Sequence, residues 1–156
     1  MSRSVLELIG NTPLLSLSKL SPKREVKILG KAEWSNPGGS IKDRPVLKII
    51  SEAEKRGLIR GKTILDATSG NAGISYAMIG ASKGYRVHLC VPANVSEATK
   101  RIMLAFGAHL TATSALQGSD GAILKARELY QSNPRKYFYG AQYGNEANWK
   151  AHYITT

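Results

Sequence analysis

The chain has 156 residues and a net charge of +11, with 42% hydrophobic and 21% charged residues. A chain of this length and apolar content can bury a core, so the composition predicts a folded globular protein. No run of residues is long and apolar enough to predict a membrane span, and the amino terminus lacks a secretory signal pattern. We therefore predict a cytoplasmic protein with no membrane partner.

Short apolar runs alternate with helical patterns along the chain. Four glycines near the predicted helix ends favour termination there: Gly57, Gly61, Gly84 and Gly107. The alternation predicts an α/β fold in which a mainly parallel sheet is flanked by helices on both faces. In chain order, the patterns predict a strand at 26–33, a helix at 42–57, a strand at 63–67, a helix at 72–84, a strand at 86–91, a helix at 96–107, a strand at 109–113, a helix at 118–132, a strand at 136–140 and a helix near 145–153.

The positive charge does not by itself predict nucleic-acid binding. Lysines and arginines are spread along the chain, with no dense basic run and no nucleic-acid motif. A solvated basic surface that attracts small anions is the better interpretation. The three histidines and Cys90 lack metal-ligand spacing, so no zinc site is predicted, and Cys90, in an apolar run, is interpreted as a buried structural thiol.

The segment NPGGSIKDR, residues 36–44, places Lys42 at the beginning of a predicted helix. The glycine pair allows a tight turn, and a helix start carries partial positive charge and unpaired N–H groups. A charged amine is disfavoured in such a place, and a neutral lysine amine can form a Schiff base with an aldehyde. Lys42 is therefore a candidate catalytic residue.

The loop ATSGNAG, residues 67–73, follows one predicted strand and opens the next helix. Ligands of open parallel sheets bind beyond the carboxyl ends of the strands, and consecutive N–H groups at a helix start bind anions. The loop thus predicts a site for a carboxylate or phosphate, although an ordinary helix cap is the alternative. GLIRGKT at 57–63 lacks Walker A spacing, and GxGxxG is absent. A reactive lysine beside an anion site suggests pyridoxal phosphate chemistry.

Five segments in order resemble the motifs of the cysteine synthase and cystathionine β-synthase family, which are fold type II pyridoxal-phosphate enzymes. They are IGNTPL at 9–14, NPGGSIKDR at 36–44, TSGNAGIS at 68–75, MLAFGAHL at 103–110 and QYGNEANWKAHYITT at 142–156. The resemblance covers nearly the whole chain and is closest to cysteine synthase. It implies β-replacement on an O-activated serine, O-acetylserine or O-phosphoserine, with sulfide or a sulfur-carrier protein as donor, in an enzyme expected to be a homodimer.

The resemblance also implies roles for individual residues. Lys42 corresponds to the Schiff-base lysine, and Asn71 to the asparagine that contacts the cofactor. Thr68, Ser69, Asn71 and Gln142 correspond to residues that hold the substrate carboxylate. Ala72 stands where the family usually has threonine, so the carboxylate contact at this position retains only its backbone N–H.

The resemblance further implies a domain organisation. Residues 1–12 and 35–145 would form the amino-terminal α/β domain, 13–34 would cross to a second domain as a hairpin, and 146–156 would begin that domain. The chain is thus expected to represent the amino-terminal half of an enzyme, with weak cofactor binding and negligible activity by itself. A cystathionine β-synthase-type reaction and a non-catalytic folding or interaction module are the alternatives, and nucleic-acid binding is a distant third.

Overall fold

The computed structural model describes residues 4–156, so residues 1–3 of the expected amino-terminal domain lie outside the described part. A short antiparallel hairpin is followed by a parallel sheet with connecting helices. The hairpin strands are β1 (Leu14–Ser16) and β2 (Leu29–Lys31). The sheet strands are β3 (Thr63–Ala67), β4 (Val87–Pro92), β5 (His109–Thr113) and β6 (Tyr137–Tyr139). The helices are α1 (Asp43–Lys55), α2 (Asn71–Lys83), α3 (Glu97–Ala105), α4 (Gly118–Ser132) and α5 (Glu146–Thr155).

The sheet has the order β5-β4-β3-β6, and all neighbouring strands are parallel. This confirms the predicted fold class. Strands β3 and β4 are buried along their whole length because they are central and are covered on both faces. The predicted strand at 26–33 is paired only at Leu29–Lys31, since its partner β1 is three residues long.

Alternating side chains of the central strands enter two separate cores. Ile64 of β3 and Leu89 of β4 pack with helices α1, α2 and α3 on one face. Leu65 of β3 and Cys90 of β4 pack with α4 on the other face. Cys90 is fully buried, as expected from its apolar run, and burial raises the pKa of its thiol to about 11. Helix α5 packs on α1.

The predicted helix ends agree with the structure to within about two residues, which is the usual uncertainty of a helix boundary. Gly84 and Gly107 have φ angles of 75° and 82°, so each takes the left-handed conformation that glycine adopts without strain. No helix in residues 4–156 has the length and apolar character required to cross a bilayer. The cytoplasmic location stays a prediction.

Candidate functional site

A polar cavity of about 260 Å³ lies beyond the carboxyl end of β3. Its wall contains every residue that the sequence pointed to: Lys42, Thr68, Ser69, Asn71, Ala72 and Gln142. The strand order explains the meeting, because β3 leads into residues 68–72, and β6, beside it, leads into the segment that carries Gln142. A second cavity of about 420 Å³ shares Lys42 and Gln142 and extends toward α5. An apolar cavity between α1 and α5 contains none of these six residues.

Lys42 lies one residue before α1, with helical dihedral angles of −70° and −17°. Its backbone N–H donates to Ser40 Oγ at 3.1 Å, and its carbonyl accepts from the Val46 N–H at 3.2 Å. No carboxylate in residues 4–156 lies within ion-pair distance of its amine. The backbone of Lys42 is therefore held firmly, while its amine is available to a ligand in the cavity.

The neighbouring Asp43 ties the lysine-bearing segment to helix α2. Its carboxylate is fully buried, and it accepts from the Gly38 N–H at 2.6 Å and from Ser75 Oγ at 2.5 Å. Burial raises the pKa of Asp43, and these two hydrogen bonds oppose the rise. A Cβ at position 38 would lie 2.2 Å from Asp43 Oδ1, so only glycine allows this approach. Asp43 thus links the loop before Lys42 to the helix that begins at Asn71.

Thr68 shapes the loop that follows β3. Its hydroxyl oxygen accepts from the N–H groups of Gly70 at 3.2 Å and Gly73 at 3.0 Å, and the side chain is buried. Ser69 and Asn71 are exposed, and their side chains make no hydrogen bond to another described residue. In the described part of the chain, the N–H groups of Ser69, Asn71 and Ala72 also have no acceptor. The loop can therefore offer three N–H donors at a helix start to an anion.

Gln142 reaches the cavity on a tightly held segment. Its side-chain Nε2 donates to the Ala67 carbonyl at 2.7 Å, and its backbone N–H donates to Asp66 Oδ2 at 3.1 Å. One N–H of the side-chain amide is used in this contact, so the second remains for a ligand. The preceding Ala141 has a φ of 49°, a left-handed conformation that costs a non-glycine residue energy.

Several residues around the cavities were not singled out from the sequence. Tyr143 and Asn148 line the first cavity, and His152 lines the second. Asn148 Nδ2 donates to the Gln142 carbonyl at 2.8 Å. Burial and the nearby charges of Lys42 and Arg44 lower the pKa of His152. Asn148 and His152 are four residues apart and so share one face of α5, a helical spacing that was readable in the sequence.

The arrangement fits a carbonyl compound that also carries a negative charge. An amine, three unpaired N–H groups and two side-chain amides, those of Asn71 and Gln142, meet at one cavity. Pyridoxal 5'-phosphate requires such an amine for its aldehyde, and an amino-acid substrate requires N–H donors for its carboxylate. The residues present therefore suit the aldehyde side of this cofactor and its substrate. No group of three or more potential metal ligands occurs within residues 4–156.

Comparison with known proteins agrees with this chemistry. A model for the pyridoxal-phosphate dependent enzyme family matches residues 5–156. A cysteine synthase from Aquifex aeolicus is 54% identical over 98% of this chain, which corresponds to 48% of that protein. A cysteine synthase structure from Entamoeba histolytica superimposes with a TM-score of 0.90 at 41% identity, over 97% of this chain and 46% of that one.

The structure of an O-ureido-L-serine synthase is also similar, with a TM-score of 0.91 at 36% identity over 99% of this chain and 48% of that one. The chain spans about half the length of these relatives. The similarity therefore covers one portion of each relative and nearly all of this chain.

Proposed function

Because the chain belongs to the pyridoxal-phosphate dependent enzyme family, we propose that its polar cavity is one side of a cofactor and substrate site for cysteine synthesis. The proposed reaction replaces the O-linked group of an activated serine, O-acetylserine or O-phosphoserine, with sulfur. The observation that carries the proposal is the meeting of Lys42, residues 68–72 and Gln142 at a single cavity. The similarity to proteins named cysteine synthase supports the choice of reaction.

In this proposal Lys42 has two roles. Its amine would hold the aldehyde group of pyridoxal 5'-phosphate and, when free, would act as the base that removes the substrate α-proton. The cofactor, when bound, would supply the electron sink that makes this proton acidic enough to remove. The contact between Asp43 and Ser75 supports both roles, because it holds the backbone next to Lys42 against the helix that begins at Asn71. Asn71 contributes its side-chain amide to the cofactor.

The substrate carboxylate is proposed to bind at the start of α2. The unpaired N–H groups of Ser69, Asn71 and Ala72 point to this role, together with the second N–H of the Gln142 amide. Thr68 contributes by holding the loop in shape, since its hydroxyl already accepts two backbone N–H groups. Ala72 supplies no hydroxyl, so its contribution is limited to the backbone.

The partners of the chain are also proposals. The hairpin leucines Leu14, Leu20 and Leu29 are 60%, 69% and 54% exposed, which is unusual for an apolar strand pair. We propose that residues 13–34 pack on further protein, either a second domain or a second copy in a homodimer. We also propose that residues 146–156 begin a second domain, although α5 packs on α1 in this chain. Sulfide or a sulfur-carrier protein is the proposed sulfur donor.

Covalent trapping tests the role of Lys42 directly. The purified chain is incubated with pyridoxal 5'-phosphate, reduced with borohydride and mapped by peptide mass spectrometry. Before reduction we expect visible absorbance from the bound cofactor, and after reduction preferential labelling of Lys42; both should be lost in Lys42→Ala. Lys55→Ala is the matched control, because Lys55 ends the helix that Lys42 precedes and its side chain is 70% exposed. Equal labelling of many surface lysines, unchanged by Lys42→Ala, would contradict the proposal.

Turnover separates an enzyme from a non-catalytic interaction module. Cysteine formation from O-acetyl-L-serine or O-phospho-L-serine with sulfide is measured in the longest natural polypeptide that contains this sequence. We expect formation of cysteine with one of the two substrates and its loss in Lys42→Ala. Normal turnover by the Lys42→Ala protein would remove the lysine from the mechanism.

A further inference from the structure

Asp66 is a fully buried carboxylate that lies behind the cavity wall, at the carboxyl end of β3. Oδ1 accepts from the Ala67 N–H at 2.8 Å, and Oδ2 accepts from the Gln142 N–H at 3.1 Å. The bond from the Gln142 N–H joins the end of β3 to the segment after β6. The side-chain amide of Gln142 also donates to the carbonyl of Ala67, the residue after Asp66. Gln142 is thus joined to residues 66–67 through both its backbone and its side chain.

Residues 140–142, the segment after β6, pass very close to the Asp66 carboxylate. A Cβ at Gly140 would lie 2.7 Å from Asp66 Oδ2 and 2.4 Å from the Tyr76 hydroxyl, so only glycine allows the chain to pass there. Ala141 then adopts its left-handed conformation, which requires support from surrounding contacts. Asn145 Nδ2 supplies one such contact by donating to the Gly140 carbonyl at 2.9 Å. Asp66 supplies the only side-chain acceptor for the Gln142 N–H within residues 4–156.

We propose that Asp66 is a positioning residue of the cavity, whose buried carboxylate holds the Gln142 backbone so that the Gln142 side-chain amide faces the ligand. The ligand part of this inference rests on the proposed function, since it takes the ligand to be an amino-acid carboxylate. The anchoring part rests only on the contacts of Asp66. Asp66 itself does not line the cavity and therefore acts through Gln142.

The protonation of Asp66 gives this contact a pH dependence. Burial raises the pKa of Asp66 to about 6, and the nearby Tyr76 hydroxyl with the N–H groups of Ala67 and Gln142 oppose a further rise. The hydroxyl of Tyr76 lies near the carboxylate without normal hydrogen-bond geometry. An ionised carboxylate is a stronger acceptor than a neutral carboxyl group. Acidification through pH 6 should therefore loosen the Gln142 segment.

The two tyrosines and the thiol packed around Asp66 titrate well above this pH range. Burial raises the pKa of Tyr76 on α2 well above its usual value, and that of Tyr139 on β6 is also raised. The thiol of Cys90 on β4 has a pKa of about 11. Arg127 on α4 lies beside Tyr139 and opposes the rise of the Tyr139 pKa. His152 on α5 lines the second cavity together with Gln142, and its pKa is lowered from 6.5 by burial and by nearby positive charge. A transition near pH 6 at the Gln142 segment therefore reports Asp66 when it persists in a His152→Gln variant and is lost in Asp66→Asn.

The anchoring is tested by an NMR titration of the ligand-free chain between pH 4.5 and 8. We expect the backbone N–H signal of Gln142 to shift with a midpoint near 6. The shift should be absent in Asp66→Asn and retained in Asp120→Asn, a matched change at an exposed aspartate of α4. A Gln142 signal that does not titrate in the unmodified chain, a result that needs no variant, would overturn the proposal.

A double-mutant cycle tests whether Asp66 acts through Gln142. L-serine is the probe, and its dissociation constant is measured from the side-chain amide signals of Asn71 in four proteins: unmodified, Asp66→Asn, Gln142→Ala and the double variant. Asp66→Asn should weaken binding about tenfold, the scale of one hydrogen bond at a charged group. In the Gln142→Ala background, Asp66→Asn should leave the dissociation constant of L-serine almost unchanged.

The outcomes separate this inference from the proposed function. Fully additive effects of the two substitutions would show that Asp66 does not act through Gln142, and would overturn the positioning role. If L-serine binds to none of the proteins while the Gln142 signal titrates as expected, the anchoring is supported and the proposed function is contradicted. Binding of L-serine without any titration of the Gln142 signal would support the proposed function and contradict the anchoring by Asp66.

Discussion

Replacing Ser75 with alanine removes the side-chain hydrogen bond that joins helix α2 to the lysine-bearing segment. The Ser75 hydroxyl donates to Asp43 Oδ1 at 2.5 Å, and both side chains are fully buried. After the substitution, Asp43 keeps the Gly38 N–H but loses its other donor. No solvent can take the place of the hydroxyl at a carboxylate that is entirely covered by protein.

The expected cost follows from the charge and burial of the acceptor. A hydrogen bond to a charged group contributes about 1.5–3 kcal/mol, and removing one partner leaves a buried group unsatisfied. Alanine is the better helix former by roughly 0.5 kcal/mol, which offsets part of the loss. We expect Ser75→Ala to lower the free energy of unfolding by about 2 kcal/mol relative to a control that shares the helix effect. For a chain of this size, that corresponds to a decrease in Tm of about 4–8 °C.

The matched control is Ser82→Ala, the same change at an exposed position of the same helix. Urea unfolding at several pH values provides the measurement. The pKa of Asp43 is raised in the folded chain, so its ionisation costs stability as the pH rises through that pKa. Loss of the Ser75 donor raises the pKa further, and the difference between the two variants should therefore grow from acidic to neutral pH. Equal stability of Ser75→Ala and Ser82→Ala at neutral pH would show that the Ser75–Asp43 hydrogen bond does not stabilise the fold.

Four further predictions concern other parts of the chain. Ala72→Thr should tighten amino-acid binding by up to about 1 kcal/mol, measured by titration, because it adds a hydroxyl beside the proposed carboxylate site. Unchanged affinity would identify Ala72 as a packing residue. Burial lowers the pKa of His88 to about 4, so the free energy of unfolding should fall as the pH decreases from about 6.5 to 4. The urea midpoint of a His88→Gln variant should depend less on pH over that range. Gly140→Ala should reduce stability by roughly 2 kcal/mol or more, seen as a lower urea midpoint, because its methyl group would overlap the Tyr76 hydroxyl. Ala141→Gly should raise the free energy of unfolding by up to about 1 kcal/mol, seen as a higher urea midpoint, because it relieves the left-handed strain. A lower midpoint would contradict this and show that the added flexibility of the unfolded chain dominates.

Much of the fold was predictable because its signals lie in neighbouring residues. The periods of apolar residues located the helices and sheet strands, and strands β3 and β5 were predicted with their exact bounds. The hairpin was less predictable, since a strand's paired length depends on its partner, and β1 pairs for only three residues. The cavity residues were predictable because glycines and helix starts mark ligand loops locally, as at Lys42 and residues 68–72.

The supporting contacts of the site were not predictable in the same way. Ser75 and Asp43 are 32 residues apart, and Gln142 and Asp66 are 76 residues apart. Nothing near Asp66 in the sequence shows that its carboxylate is buried, and nothing near Gln142 shows which group accepts its N–H. Local sequence patterns were enough to predict the order of the elements and the loops that line the cavity, because hydrophobic periods and turn residues act over a few positions. How firmly those loops are held, and which carboxylates have a raised pKa, depend on the folded chain, because burial and hydrogen-bond partners come from distant segments that the parallel sheet brings together.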